Sequence, residues 1–192
     1  MLYYTGAIEQ EGVQKDPSQS LGGYKSSTQI VNGEIHNLFP KIDKKEVVKN
    51  KKRIRLIVLK NITNQEMQNV KIWTEKAKYF GLKIGVIEPY YNEKCNKFSF
   101  EKLSSDEHLP YQTRLDVYNE NSPLIIQNLE IGKMIGIWIR RELDLSQFTN
   151  REKEENLLDN MSCDLVIEEL EKELENSFIK EQDLFQLHIS WD

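Results

Sequence analysis

The sequence has few of the residues on which cross-links, metal sites and phosphate-binding loops depend. It contains two cysteines in 192 residues. Neither Cys95 nor Cys163 lies in a Cys-x-x-Cys context, which argues against a disulfide framework or a zinc knot. The histidines His36, His108 and His188 fall in different regions without a second ligand at metal spacing. The nine glycines form no Walker-type loop or dinucleotide turn. We therefore expect no metal, no cofactor and no catalytic residues.

Long apolar runs are also missing. No stretch approaches the roughly 20 apolar residues that a membrane-spanning helix needs, and MLYYTGAIEQEGVQ has none of the marks of a secretory signal. We expect synthesis in a cytoplasm, no membrane contact and reduced thiols. The glycosylation sequons at Asn61 and Asn160 mean little without a secretory route. A hydrophobic fraction of 39% still suffices for a folded core.

Charge is distributed unevenly along the chain, although the formal net charge is only −5. Residues 41–83 carry 13 Lys or Arg against 4 acidic residues, whereas residues 151–192 carry 4 against 13. The basic run KIDKKEVVKNKKRIR is compatible with nucleic-acid binding. Because lysines commonly protect the edges of apolar strands from aggregation, we favour that structural interpretation.

Strand periods dominate the apolar pattern. RIRLIVLKNITNQEMQNVKIWT predicts two strands joined by an Asn-rich loop, GLKIGVIEP predicts a third, and weaker patterns predict strands at 98–100 and 115–118. The segment from 134 to 140 is apolar on both faces, as is typical of a sandwich core. DLFQLHISWD alternates strictly and predicts a strand that returns to the sheet. We expect Trp138 and Trp191 to be core anchors.

Two segments do not follow this pattern. NREKEENLLDNMSCDLVIEELEKELEN predicts an acidic amphipathic helix, with an apolar stripe at Val166, Leu170 and Leu174. Its glutamates indicate a solvated face rather than a calcium loop. DPSQSLGGYKSSTQIVNGEIHNLFPKI fits neither a helical nor a strand period, which predicts an arm with a Gly22–Gly23 bend and an apolar anchor at Leu38–Phe39.

The predicted fold is therefore all-β, an immunoglobulin-like or jelly-roll-like β-sandwich with an extended N-terminal arm and an inserted acidic α-helix. The boundaries are residues 1–45 for the extended assembly arm, 46–145 for the β-sandwich, 146–182 for the acidic helical insertion and 183–192 for the returning strand. An arm with few internal contacts would become ordered on a neighbouring subunit.

Three segments together, SLGGYKSST…NGEIHNLFPKI, RIRLIVLKNITNQEMQNVKIWT and LIIQNLEIGKMIGIWIRREL, resemble tailed-bacteriophage virion structural proteins. In that class, a Ser-Leu-Gly-Gly-like arm with an Asn-Leu-Phe segment precedes a sandwich. One of its strands ends in Lys-Asn, and a later strand carries a Gly-x-Trp-x-Arg-Arg-like pattern. Similar chains are neck or tail ring components of short-tailed phages, including the crAss-like group. The resemblance covers residues 16–75 and 123–143.

The resemblance implies a non-enzymatic structural protein of the virion neck or tail, assembled in the bacterial host cytoplasm. It implies a homo-oligomeric ring, dodecameric in the class resembled, that connects the portal to the tail. A ring closes when one face of a subunit binds a different face of its neighbour, and the oppositely charged segments suit such a contact. DNA contact is expected only if the basic face lines the lumen.

The candidate interface residues lie in the arm and at the end of one strand. For Arg140 and Arg141, a solvated strand end is an equal alternative to intersubunit ion pairs. The candidate interface residues are Leu21, Gly22, Gly23, Tyr24, Asn37, Leu38, Phe39, Arg140 and Arg141.

Two other classes of protein remain open. A head-decoration or host-glycan-binding module would share the sandwich and could use Tyr90 and Tyr91 as a stacking platform, although a partly buried turn is the favoured interpretation of these tyrosines. A glycan hydrolase would need two acids about 5–10 Å apart in one cleft, and nothing in the spacing of the acidic residues supports that.

Overall fold

The computed structural model describes residues 1–6, 12–34, 36–40, 52–75, 80–143 and 185–192. The predicted acidic helix and most of the basic run at residues 41–55 lie outside these ranges. The strands within the described ranges confirm the all-β prediction. A short 3-10 turn occupies Pro17–Gln19. The strands are β1 (Leu2–Gly6), β2 (Tyr24–Ile30), β3 (Arg53–Lys60), β4 (Met67–Thr74), β5 (Phe80–Ile87), β6 (Tyr90–Asn92), β7 (Lys97–Ser99), β8 (Leu124–Leu129), β9 (Met134–Leu143) and β10 (Leu187–Ser190).

The larger sheet has the strand order β2-β1-β3-β9-β5. Its neighbouring strands are antiparallel, and β9 pairs with both β3 and β5. Six consecutive residues of β3 are buried, from Ile54 to Leu59. Central strands with both faces covered need apolar side chains on both faces, which explains the two-sided apolarity read from the sequence.

A second antiparallel sheet, in the order β10-β4-β8, packs on one face of the larger sheet. Ile137 of β9 shares this core with Val70 and Ile72 of β4. On the opposite face, Trp138 packs with Phe100 and other apolar side chains in a second buried cluster. Phe100 belongs to the segment that follows β7, so a loop covers the face that the second sheet leaves open.

The N-terminal segment differs from the predicted arm. Leu2 of β1 lies opposite both Ile30 of β2 and Leu59 of β3, so these strands belong to the larger sheet. Leu38 and Phe39 are buried in the core between the sheets. The arm prediction is therefore wrong for the described residues. Glycines and polar residues interrupt these short strands, and backbone pairing with a distant strand leaves no periodic signal in the sequence.

The C-terminal segment pairs with β4 in a short edge strand, with Ile189 opposite Ile72. Trp138 is fully buried, as predicted, but Trp191 is 49% exposed and is not a core anchor. The reason is that β10 ends at Ser190. The predicted strand at 115–118 is reduced to a single bridge from Asp116 to the edge strand β5.

Candidate assembly surfaces

The first group of candidate interface residues docks a loop within the subunit. The φ angles of Gly22 and Gly23 are 94° and 88°, so the predicted bend is present. Phe100 N donates to Gly23 O at 2.9 Å, and Leu103 N donates to Leu21 O at the same distance. Asn92 Nδ2 donates to the Tyr24 hydroxyl at 3.2 Å. Residues 21–24 thus hold the loop that covers Trp138.

The second group surrounds Phe39. The Arg141 guanidinium lies 4.9 Å from the Phe39 ring centroid, and that of Arg55 lies at 5.6 Å. Arg141 Nη2 also donates to Pro40 O at 3.2 Å, whereas Asn37 is exposed. Cation–π contacts of this kind hold the 36–40 segment against β9. Leu38 and Phe39 are therefore apolar anchors, as predicted, and the core that receives them belongs to the same chain.

Arg140 is not a solvated strand end. Its Nη2 lies 3.1 Å from Glu142 Oε2, and its side chain is only 13% exposed. Lys83 Nζ of the neighbouring strand β5 lies 2.5 Å from the other Glu142 oxygen. The ion pairs that the structure describes for Arg140 are internal, which leaves Arg140 poorly placed for an intersubunit pair.

An ion cluster that sequence reasoning missed joins β3 to the covering loop. Asp106 Oδ2 accepts from Arg53 Nη1 at 2.5 Å and from Arg55 Nη2 at 3.0 Å. Asp106 O also accepts from Ile54 N at 3.0 Å. The Arg55 side chain is only 3% exposed, and burial lowers its pKa while Asp106 partly restores it. Only the alternation of Arg53 and Arg55 on one strand face could have signalled this cluster.

This cluster makes stability depend on pH. Burial alone would raise the pKa of Asp106, but hydrogen bonds and the charges of the two arginines bring the pKa below its ordinary value. A lowered folded pKa stabilises the fold above the unfolded carboxyl pKa of about 3.9, and this contribution is lost as the pH falls through the folded pKa.

We therefore expect the urea midpoint of the wild-type protein to fall more steeply below about pH 4 than that of Asp106→Asn. Urea unfolding of both proteins between about pH 2 and 7 measures this difference. A constant gap between the two curves over that range would contradict an ionised Asp106 in the cluster.

A groove on the face of the larger sheet that carries Trp138 concentrates basic side chains. It has a volume of about 600 Å³ and lies between the β6–β7 hairpin and the turn that joins β8 to β9. Four lysines line it against two glutamates, Glu88 and Glu130. We call it the lysine groove. Its lysines are Lys25, Lys60, Lys97 and Lys133.

Aromatic side chains of the β6–β7 hairpin lie beside this groove. Tyr90 is 52% exposed, Tyr91 50% and Phe98 48%. Tyr91 and Phe98 are opposite each other in the hairpin, with ring centroids 5.4 Å apart in an edge-on arrangement. These tyrosines are half-buried, as the favoured interpretation expected, but they lie in a strand of a hairpin rather than in a turn. The hairpin itself forms a small separate sheet.

Comparison of the chain with protein-family models, with curated proteins and with solved structures finds no match. Across the ranges that the structure describes, no group of three or more metal-ligating side chains comes together. No helix within those ranges has the length and apolarity that crossing a bilayer requires.

Proposed function

We propose that the protein is a structural subunit of a phage virion, which forms a ring in the neck or tail and connects the portal to the tail. The subunit acts by binding other copies and neighbouring virion proteins. The described residues of the N-terminal segment pack within their own subunit, so the contacts between copies belong to exposed surfaces such as the lysine groove.

One observation carries this proposal. The segments that resemble phage virion proteins are separated in the sequence, yet they lie together in the fold. β2, β3 and β9 belong to one sheet, and β4 and β8 pair in the sheet that packs on it. Leu21 and Gly23 hold the loop that covers one face of the larger sheet, and Phe39 packs in the core between the two sheets. A pattern that coincides with one connected structural unit supports a shared fold more strongly than scattered short matches do.

The assembly state tests the proposal. We expect purified protein to form one closed oligomer of defined mass as its concentration rises, because a heterologous contact that closes gives a ring of fixed copy number. Native mass spectrometry and negative-stain electron microscopy measure the copy number and show the ring. A protein that stays monomeric both alone and when co-produced with a portal protein would overturn the proposal.

The exposed aromatic hairpin favours a second candidate function, a head-decoration or host-glycan-binding module of the virion. Aromatic faces that are half-exposed suit stacking against sugar rings. If this candidate function is correct, we expect a monomer or trimer that binds host polysaccharide, and we expect the Tyr91→Ala variant to lose that binding. Ring formation without polysaccharide binding would exclude it.

A further inference from the structure

We propose that the lysine groove binds the acidic segment, residues 151–184, of a second copy of this chain. The inference rests on the proposed ring function and names the contact between neighbouring subunits. Each copy would then offer its lysine groove to one neighbour and its acidic segment to the other. Such a contact joins two different faces and can close into a ring.

The groove has unmatched positive charge. Among the residues that the structure describes, Lys60, Lys97 and Lys133 have no carboxylate within salt-bridge distance. Lys60 and Lys97 are partly buried and Lys133 is exposed. Three lysines that line one concave surface suit an acidic segment, since their flexible stems adapt to carboxylates at different positions. Phe98 on the same groove offers contact to an apolar side chain.

The acidic segment matches this surface in composition. Residues 151–184 contain 12 acidic and 4 basic residues, a net charge of −8. Leu, Ile and Val are interspersed with these acids in DLVIEELEKEL, so the segment offers apolar side chains as well as carboxylates. Complementary charge of this kind favours the correct register and partner more than it raises affinity.

The acidic segment joins the sandwich at the end remote from the groove. Met134 lines the groove and begins β9, whereas Leu143 ends the same strand. A ten-residue strand spans about 30 Å. The chain re-enters the sandwich before Leu187, which pairs with Thr74 at the end of β4 remote from the groove. The groove and the attachment points of the acidic segment therefore lie at opposite ends of each copy, an arrangement that suits a head-to-tail contact.

The basic run of residues 41–52 carries too little charge to neutralise the acidic segment. Residues 41–52 contain 6 lysines and 2 acidic residues, a net charge of +4. They precede Arg53, which lies opposite Arg141 at the same end as the acidic attachment points. Even complete pairing with this run would leave half of the net charge of −8 for another partner.

Charge reversal tests the contact in the full chain. One variant combines Lys60→Glu, Lys97→Glu and Lys133→Glu. A second replaces five glutamates by lysine, which changes the net charge of residues 151–184 from −8 to +2; it combines Glu168→Lys, Glu169→Lys, Glu171→Lys, Glu173→Lys and Glu175→Lys. We expect each variant alone to need a concentration at least about tenfold higher for assembly, because like charges then face each other. An equimolar mixture should assemble as the wild type does, since every groove then meets a segment of opposite charge in an alternating ring. The matched control combines Lys15→Glu, Lys71→Glu and Lys102→Glu, which lie outside the groove.

Native mass spectrometry of the two variants, their mixture and the control separates the outcomes. Circular dichroism tests whether each variant is folded. Failure of the single variants, rescue in the mixture and an unaffected control would support the contact. A wild-type oligomer that the groove variant forms equally well would overturn this inference and leave the ring proposal standing. A wild-type protein that stays monomeric would overturn both.

Discussion

Replacement of Asp106 by Asn should lower the free energy of unfolding by about 3–5 kcal/mol, because it leaves the buried Arg55 guanidinium without its carboxylate partner. Asp106 Oδ2 lies within 3.0 Å of nitrogens on both Arg53 and Arg55. An amide keeps the shape of the side chain but not its charge. The positive charge of Arg55 would then be desolvated without an adequate counter-charge. Urea unfolding at pH 7 measures the loss.

Asp116→Asn is the matched control for this substitution. Asp116 also accepts from an arginine, with Arg114 Nη2 at 3.0 Å, but the Arg114 side chain is 88% exposed. Because solvent screens exposed pairs, we expect its urea midpoint to stay close to that of the wild type. Equal midpoints for Asp106→Asn and Asp116→Asn would show that the buried cluster does not hold the loop to β3.

Gly22→Ala should be as damaging as the loss of the ion cluster. A Cβ on Gly22 would lie 1.9 Å from the carbonyl oxygen of Glu101, a backbone atom. The φ of Gly22 is also positive, at 94°. Left-handed strain of about 1–2 kcal/mol and overpacking of about 1–3 kcal/mol then add, and the loop that covers Trp138 must move. We expect a lower urea midpoint and faster proteolysis within residues 100–115.

Gly33→Ala separates the two contributions. Gly33 has a φ of 81°, but its Cβ would meet nothing within 4 Å. This variant should therefore show only the left-handed strain, about 1–2 kcal/mol. If Gly22→Ala is no less stable than Gly33→Ala, the close approach to Glu101 does not limit the fold. If Gly22→Ala changed assembly without changing stability, the result would instead support Gly22 as an interface residue.

The strands that the sequence predicted best are those with strong local periods. Burial of Val70, Ile72 and Thr74 together follows from alternation along one strand, and the burial of both faces in β3 follows from its unbroken apolar run. Side-chain period is a property of neighbouring residues. The weaker strand β1 pairs with β3, which lies far along the chain, and β2 pairs only with β1. Local patterns carry no information on such partners.

For the candidate surfaces too, the sequence predicted local features but not the partners of these features. The sequence showed that Leu38 and Phe39 anchor their segment, but it could not show whether the core that receives them belongs to the same subunit. It showed an uneven charge distribution, but the lysine groove draws its four lysines from four separate places in the chain.

The sequence by itself determined an all-β chain, most of its central strands and the opposite charges of its two halves, because strand period and charge reside in neighbouring residues. Only the tertiary structure decided that the N-terminal segment completes the sheet, that Asp106 neutralises Arg55 and that lysines from distant strands share one groove. Each of these depends on long-range pairing, in which the partner is selected by the packing of the whole chain.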